Sequence, residues 1–249
     1  MGGDGAPLLR LERGCILRGI SVVLPAYNEE ENVPKTVAAI VGAVEKSTTD
    51  YEVIIVDDGS RDRTAEVTRE LARKYPAVRL VQHPANRGYG GALATGFAAA
   101  TKELVFFTDA DNQFDVTEIS KLLPYIGEFD MVIGYRAPRV DPFIRKLNAF
   151  GWKLLTNLLF GYTARDIDCA FKLFKRSVLD NVEVESRGAT FSAELLVRAR
   201  RKGYRIKEVP VKHLPRLAGN PTGARLSVIL RAFRELIRFR LKLNEEQKG

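Results

Sequence analysis

Cysteine is scarce in this chain of 249 residues, and the two present, Cys15 and Cys169, form no spaced framework. That excludes a disulfide-stapled scaffold and a cysteine metal cluster, and fits a reducing compartment with free thiols. Long apolar runs are lacking too. The opening segment, MGGDGAPLLRLERG, has no apolar stretch of the kind a secretory leader carries. No segment approaches the roughly 18–20 apolar residues that a spanning helix needs. The nearest, Phe143 to Phe160, is interrupted by Arg145, Lys146, Asn148 and Lys153. The expectation is a cytoplasmic chain that does not span a membrane but is able to lie on its cytoplasmic face. Internal repeats and low-complexity linkers are also missing, so the chain reads as one domain over 1–249. Its core covers about 20–220 and a basic amphipathic helix about 223–245.

What is present is ordinary for a folded protein, with 45% hydrophobic and 28% charged residues, enough for a sizeable α/β core. Lys and Arg number 39 against 31 Asp and Glu, a net charge of +8. An excess of this size favours anionic partners such as nucleotides or phospholipid head groups. Nucleic acid is not expected, because no recognised basic and aromatic motif accompanies the charge. Oligomeric state is not encoded in any visible pattern.

Apolar β-branched runs alternate with helical patterns through the first half. Strands are expected at Ile20–Leu24, Val53–Val56, Val78–Val81, Leu104–Thr108 and Met131–Gly134, with helices near Asn32–Lys46, Arg63–Tyr75, Gly90–Thr101 and Val116–Ile126. This alternation predicts an α/β fold, a Rossmann-like, mostly parallel sheet with helices on both faces. Beyond residue 135 the pattern gives an amphipathic helix over 141–160, a mixed segment, a helix at Ser192–Lys202, a strand at Arg205–Val209, and a basic helix from Leu226 to Leu243.

Ligands of such sheets bind beyond the carboxyl ends of the strands. Three polar clusters fall there: Pro25-Ala-Tyr27-Asn28-Glu29, Asp57-Asp58-Gly59-Ser60 and Asp109-Ala110-Asp111-Asn112-Gln113. Two carboxylates two apart at a strand end converge on one divalent cation if the chain turns there, and Gln113 would add a neutral oxygen. Mg²⁺ or Mn²⁺ suits such hard donors and is commonly completed by substrate phosphates. The plain alternative is a solvated acidic turn. At Asp57–Ser60, a carboxylate would accept a base N–H or a ribose hydroxyl, while Ser60 or Asp62 would cap the helix near Arg63. The glycines of Asn86-Arg-Gly-Tyr-Gly-Gly let backbone approach a nucleotide or the sheet, but Gly88-x-Gly90 lacks the third glycine of a dinucleotide fingerprint.

Together these motifs resemble the family 2, A-type (GT-A) glycosyltransferases, and in particular the dolichol-phosphate mannose synthases and related polyprenyl-phosphate glycosyltransferases. Further pieces carry the likeness: Asp166-Ile-Asp-Cys169-Ala-Phe171-Lys172-Leu-Phe, Phe191-Ser-Ala-Glu194, Glu208-Val-Pro-Val, and Arg216-x-x-Gly219, over roughly residues 20 to 235. The resemblance implies an inverting transfer from a nucleotide-diphosphate sugar, GDP-mannose or a UDP-sugar such as UDP-glucose, to a polyprenyl phosphate. It implies that Pro25, Tyr27, Glu29, Val56 and Asp58 line the nucleoside pocket, with Ala110 also on the substrate. Asp109, Asp111 and Gln113 would hold the metal and diphosphate, and Arg136 and Arg216 would contact phosphate.

A lipid monophosphate is already largely anionic near neutral pH, so it needs positioning rather than a general base. Asp166 and Asp168 stand as bases if the acceptor is a hydroxyl; alternatively Asp166 organises the acceptor loop. Two departures from the family pattern occur. Ala170 replaces a usual glycine, and Pro221-Thr222-Gly223 replaces the usual Ser-Lys, with Arg225 as a stand-in cation. Membrane contact would fall to Phe143–Phe160 and the basic tail. The rival readings are a family 2 enzyme acting on a sugar or lipid hydroxyl, and a silent nucleotide-sugar binding module.

Overall fold

The computed structural model describes residues 19–138, 143–215 and 226–246, and only the backbone of 143–146 and 226–231. Cys15, Arg216, Gly219 and the 221–225 segment lie outside the described residues. Seven strands form one sheet: β1 (Ile20–Ala26), β2 (Tyr51–Asp57), β3 (Val78–Gln82), β4 (Leu104–Thr108), β5 (Met131–Arg136), β6 (Phe171–Lys175) and β7 (Ile206–Val211), in the order β3-β2-β1-β4-β6-β5-β7. Every residue of β1 and β4 is buried, so both faces of the sheet are covered, as a near-continuous apolar strand requires. All pairings are parallel except those of β6, which runs antiparallel to both β4 and β5.

The covering helices are α1 (Val33–Val44), α2 (Thr64–Lys74), α3 (Tyr89–Ala99), α4 (Phe143–Phe160), α5 (Arg176–Asn181), α6 (Phe191–Arg201) and α7 (Leu226–Glu246). In α1, Pro34 sits in the first turn, where its missing N–H costs nothing, and Val33, Val37, Ile40, Val41 and Val44 turn inward at helical spacing. Helix α3 lies unusually close to β1 and β2 because Gly96 faces them. A Cβ placed there would collide with Val23 and meet Val56 Cγ2 at 3.1 Å.

Most expected elements lie within a residue or two of where the sequence pattern puts them. Two readings are corrected. The helix expected over Val116–Ile126 is two short 3₁₀ turns, Val116–Lys121 and Leu123–Tyr125. Pro124 lacks the N–H that a continuous α-helix would need there. The mixed segment after α4 contains a strand, β6, and a short helix, α5. Phe171, Leu173 and Phe174 of β6 are fully buried, so no alternation marked it as a strand.

Filling the Gly96 contact tests the packing that seats α3. Gly96→Val should lower unfolding stability by about 1–3 kcal/mol, read from the urea midpoint at unchanged slope.

Candidate active site

Parallel strands deliver their carboxyl ends to one edge of the sheet. The reversal of β6 means that its amino end, and the segment Asp166–Ala170 before it, arrives at that same edge. The loops after β1, β2 and β4, Arg136 at the end of β5, and His213 just past β7 all therefore meet there.

Two asparagines shape the loops after β1 and β4. Asn28 and Asn112 carry the left-handed backbone that asparagine tolerates better than most residues, with φ of 56° and 59°. Asn28 Oδ1 accepts from the Arg61 amide at 2.8 Å, and its own amide donates to Ser60 Oγ at 2.9 Å. Asn112 Oδ1 accepts from Thr36 Oγ1 at 2.9 Å, and its Nδ2 donates to the Asn32 carbonyl at 3.2 Å. The β1 loop is thereby tied to the β2 loop, and the β4 loop to the start of α1. Glu29, half-buried, accepts from Asn32 Nδ2 at 2.6 Å. Asp62 supplies the helix start, accepting from the Thr64 amide at 3.0 Å, while Ser60 serves the β1 loop instead.

Asp58 is buried and fully engaged. Its Oδ1 accepts from the Arg87 amide at 2.8 Å and lies 2.7 Å from His83 Nδ1; its Oδ2 accepts from the Gly88 amide at 2.9 Å. His83 Nε2 in turn meets Thr95 Oγ1 of α3 at 2.9 Å. One carboxylate thus holds the whole loop between β3 and α3, whose edge borders a cleft of about 350 Å³ lined by Gly59, Ser60, Gln82, His83 and Pro84. The close backbone approach expected of the glycines is made to protein. A Cβ at Gly90 would come within 2.6 Å of the Ser186 carbonyl, and one at Gly88 within 2.7 Å of the Arg187 carbonyl. Of the residues expected around a nucleoside, Tyr27 is half-buried, Pro25 and Ala110 are buried at the same edge, and Val56 turns its side chain into the core against Gly96.

Asp109 and Asp111 close β4. Asp111 is buried and accepts from the Gln113 amide at 3.1 Å; Asp109 accepts from the hydroxyl of Tyr89 at 3.0 Å. Burial first, and then the like charge of Asp111, push the Asp109 carboxyl up to about 7. Burial and the charges of Asp109, Asp168 and Asp111 drive the Tyr89 hydroxyl well above its usual range, so it stays protonated and donates. Gln113 Nε2 lies 3.5 Å from His213 Nε2 and 3.4 Å from the Leu214 carbonyl. Among the described residues no group of three His, Cys, Asp or Glu side chains is arranged to hold a metal ion. Two mutually repelling carboxylates, Asp111 buried and Asp109 half-buried, with the neutral Gln113 side-chain carbonyl beside them, fit a hard divalent cation whose remaining ligands come from a substrate.

On the opposite side, Arg136 and Asp166 face each other. The guanidinium donates to both carboxylate oxygens, at 2.6 and 2.7 Å, and the Arg136 amide adds a third bond at 3.2 Å. Both side chains are 9% exposed. Beneath them Lys172 is wholly buried, its ammonium donating to the Ile167 carbonyl at 3.1 Å and to that of Cys169, 5.2 Å from the centre of the Phe107 ring. Burial pulls the Lys172 pKa down, while Cys169, Asp168, Asp166 and Asp109 pull it back. The Cys169 thiol is pushed up to about 12 by the same burial, which leaves it inert.

The structure therefore gathers Asp58, Asp109, Asp111, Gln113, Arg136 and Asp166 at one edge, while Arg216 is outside the described residues. Sequence reasoning passed over His83, Tyr89, Lys172 and the two left-handed asparagines. The sequence shows them only as single letters, since their partners are 12 to 80 positions away or lie in the backbone.

Residues 21–183 match the profile described as Glycosyl transferase family 2. The chain is 32% identical over 213 residues to "Dolichyl-phosphate beta-glucosyltransferase ALG5D" of Trichomonas vaginalis, covering 78% of this chain and 65% of that protein. It is 34% identical over 166 residues to "Undecaprenyl-phosphate 4-deoxy-4-formamido-L-arabinose transferase" of Pectobacterium atrosepticum, covering 66% of this chain and 50% of that one. The chain thus spans less than two thirds of the length of either curated relative. Among solved structures it superposes on glucosyl-3-phosphoglycerate synthase from Mycobacterium tuberculosis, in complex with Mn²⁺, UDP and glucosyl-3-phosphoglycerate. The TM-score is 0.73 at 22% identity, over 96% of this chain and 86% of that one. That likeness gives the fold as GT-A type.

Removing the carboxylate that anchors the loop after β3 leaves buried donors unpaired. Asp58→Ala should cost about 3 kcal/mol of stability and speed amide exchange at Arg87 and Gly88, read by hydrogen–deuterium exchange, while amides of β4 keep their protection.

Proposed function

Since the chain belongs to glycosyl transferase family 2, we propose that it moves a hexose from a nucleotide-diphosphate sugar to a polyprenyl phosphate, with inversion at the anomeric carbon. The observation that carries this reading is the Asp109–Asp111 pair at the end of β4 facing the Arg136–Asp166 pair across one sheet edge. A cation between two such carboxylates would neutralise the diphosphate as it leaves. Asp109, Asp111 and the side-chain carbonyl oxygen of Gln113 would hold that cation, Mg²⁺ or Mn²⁺. Tyr89 fixes the orientation of Asp109 by its hydrogen bond.

On this reading the nucleoside lies against Tyr27, Glu29 and Pro25, with Ala110 below it. Asp58 shapes that pocket through the loop it holds. The sugar is glucose or mannose. Sequence motifs alone favour mannose, whereas the relative with the longer match is named for glucose. The acceptor is a lipid phosphate because that is the acceptor in the names of both curated relatives, and because its chemistry suits the site. An anionic phosphate attacks without losing a proton. It needs cations near it, and Arg136 and Lys172 supply them; Arg216 would add another.

The hydroxyl-acceptor reading needs a general base. Asp166 suits that role poorly, because both of its oxygens already accept from the Arg136 guanidinium. Asp168, exposed on the neighbouring cleft, would be the candidate.

The test is transfer of radiolabelled sugar from a panel of UDP- and GDP-sugars into an organic-extractable product, with polyprenyl phosphate and with or without Mn²⁺ or Mg²⁺. Metal-dependent label in the lipid phase, lost in Asp111→Ala and kept in Asp168→Asn, is the expected result. Label only in water-soluble product, lost in Asp168→Asn, would replace the acceptor with a hydroxyl. No turnover of any donor would point to a binding module. In the same assay Tyr89→Phe should raise the Mn²⁺ concentration for half-maximal rate by about tenfold or more, with thermal stability close to the parent's.

A further inference from the structure

Glu194, at the end of the Phe191-Ser-Ala-Glu194 segment, is left unused by the function proposed above, yet it is the one charged side chain among the buried residues of α6. It is 2% exposed. Burying a carboxylate is costly unless donors meet its oxygens, and here four do. Oε1 accepts from the Arg198 guanidinium at 2.9 Å and from the Glu185 amide at 3.2 Å. Oε2 accepts from the Ser186 amide at 2.9 Å and from the Ser186 hydroxyl at 2.6 Å. Three of the four bonds go to two consecutive residues of the segment that precedes α6. Each oxygen already accepts two bonds, so the group is an anchor rather than a proton acceptor.

The anchored segment presses on the start of α3. The Ser186 and Arg187 carbonyls lie where side chains at Gly90 and Gly88 would be, and the Arg187 carbonyl accepts from the Gly91 amide at 3.2 Å. Phe191 of α6 continues the contact, its ring centre 5.9 Å from that of Phe97 on α3. From the other side, Asp58 accepts from the Gly88 amide. Tyr89 stands between the two holds, its backbone fixed on both flanks, and its hydroxyl is the group that donates to Asp109 at 3.0 Å. The far end of the segment is steadied by α7, where Glu235 accepts from the Thr190 hydroxyl at 2.5 Å.

We propose that Glu194 is a positioning residue for the cation site. It fixes the backbone of Ser186 and Arg187, that backbone fixes the first turn of α3, and Tyr89 on that turn orients Asp109. The role rests on the Asp109–Asp111 cation site of the proposed function. It differs from plain structural support in what its loss changes: cation binding weakens, and only by way of Tyr89.

The experiment is a double-mutant cycle on the full chain, with Glu194→Gln and Tyr89→Phe made singly and together. Whichever way the new amide turns, its NH₂ group faces donors, at Glu185 and Arg198 or at Ser186. Binding of Mn²⁺ in the presence of UDP or GDP is read from the electron paramagnetic resonance of free Mn²⁺. Exchange at the Gly91 amide is followed by hydrogen–deuterium exchange without metal. Glu194→Gln should speed exchange at Gly91 and weaken Mn²⁺ binding by about threefold to tenfold, but by less than about twofold in the Tyr89→Phe background. Tyr89→Phe alone should leave Gly91 exchange at the parent's rate. Ser186→Ala, which deletes a single bond and so spares the fold, should repeat the Glu194→Gln pattern at smaller size. Losses that multiply in the double variant would overturn the positioning role and leave the cation site standing. So would Mn²⁺ binding that stays at the parent's strength while Gly91 exchange speeds. A parent chain that binds no Mn²⁺ with either nucleotide would instead sink the cation site, and the role of Glu194 with it.

Discussion

Two carboxylates that repel each other at one strand end are the constraint around which this molecule is arranged. Asp111 is buried and Asp109 half-buried where β4 ends, and burial together with the like charge of Asp111 holds Asp109 up at a pKa of about 7. Everything nearby bears on that problem. The Tyr89 hydroxyl donates to one carboxylate and the Gln113 amide to the other. Lys172 of β6 and Arg136 of β5 contribute positive charge. Carboxylates so arranged suit a small hard cation, as the proposed function requires.

The second theme is the commitment of side chains that look free in the sequence. Asp58 binds the loop after β3 through two amides and an imidazole, and Arg136 and Asp166 lock each other in a bidentate pair. Preorganisation of this kind costs nothing at the moment of reaction, because the groups are already oriented. It also shifts weight among roles: Asp166 is a better organiser than proton acceptor, which is one of the two roles its motif left open.

Much of the architecture was legible in the chain. Apolar runs such as Val53–Val56 and Leu104–Phe107, each running into acidic residues, announced a covered parallel sheet with its chemistry at one edge. Helix α4 followed from its spacing alone. What escaped was whatever depended on a partner elsewhere. The strand β6, Phe-Lys-Leu-Phe-Lys, is too short and buries Lys172 along with its apolar residues, so periodicity was silent, and its antiparallel direction has no local signature. Pro124 broke a helix that spacing had suggested. His83, Tyr89 and Lys172 are ordinary residues until the fold brings Thr95, Asp109 and the Ile167 carbonyl to them. Local pattern encodes elements well; long-range pairing is where function was hidden.

The reversed strand has a consequence for how the protein is made. β4 and β5 are consecutive strands, yet neither hydrogen-bonds to the other, because β6 lies between them. A nascent chain emerging from the ribosome is able to zip β1 to β4 into a four-stranded half-sheet while β5 has nothing to pair with. Only when Phe171–Lys175 has been synthesised does β6 bridge the gap, bringing Arg136 opposite Asp109. The Asp109–Asp111 half of the edge is thus encoded early and the Arg136–Asp166 half late, with loop closure over more than sixty residues between them. Substitutions in β6 would then be felt first in the yield of folded protein, before any is left to be assayed for turnover.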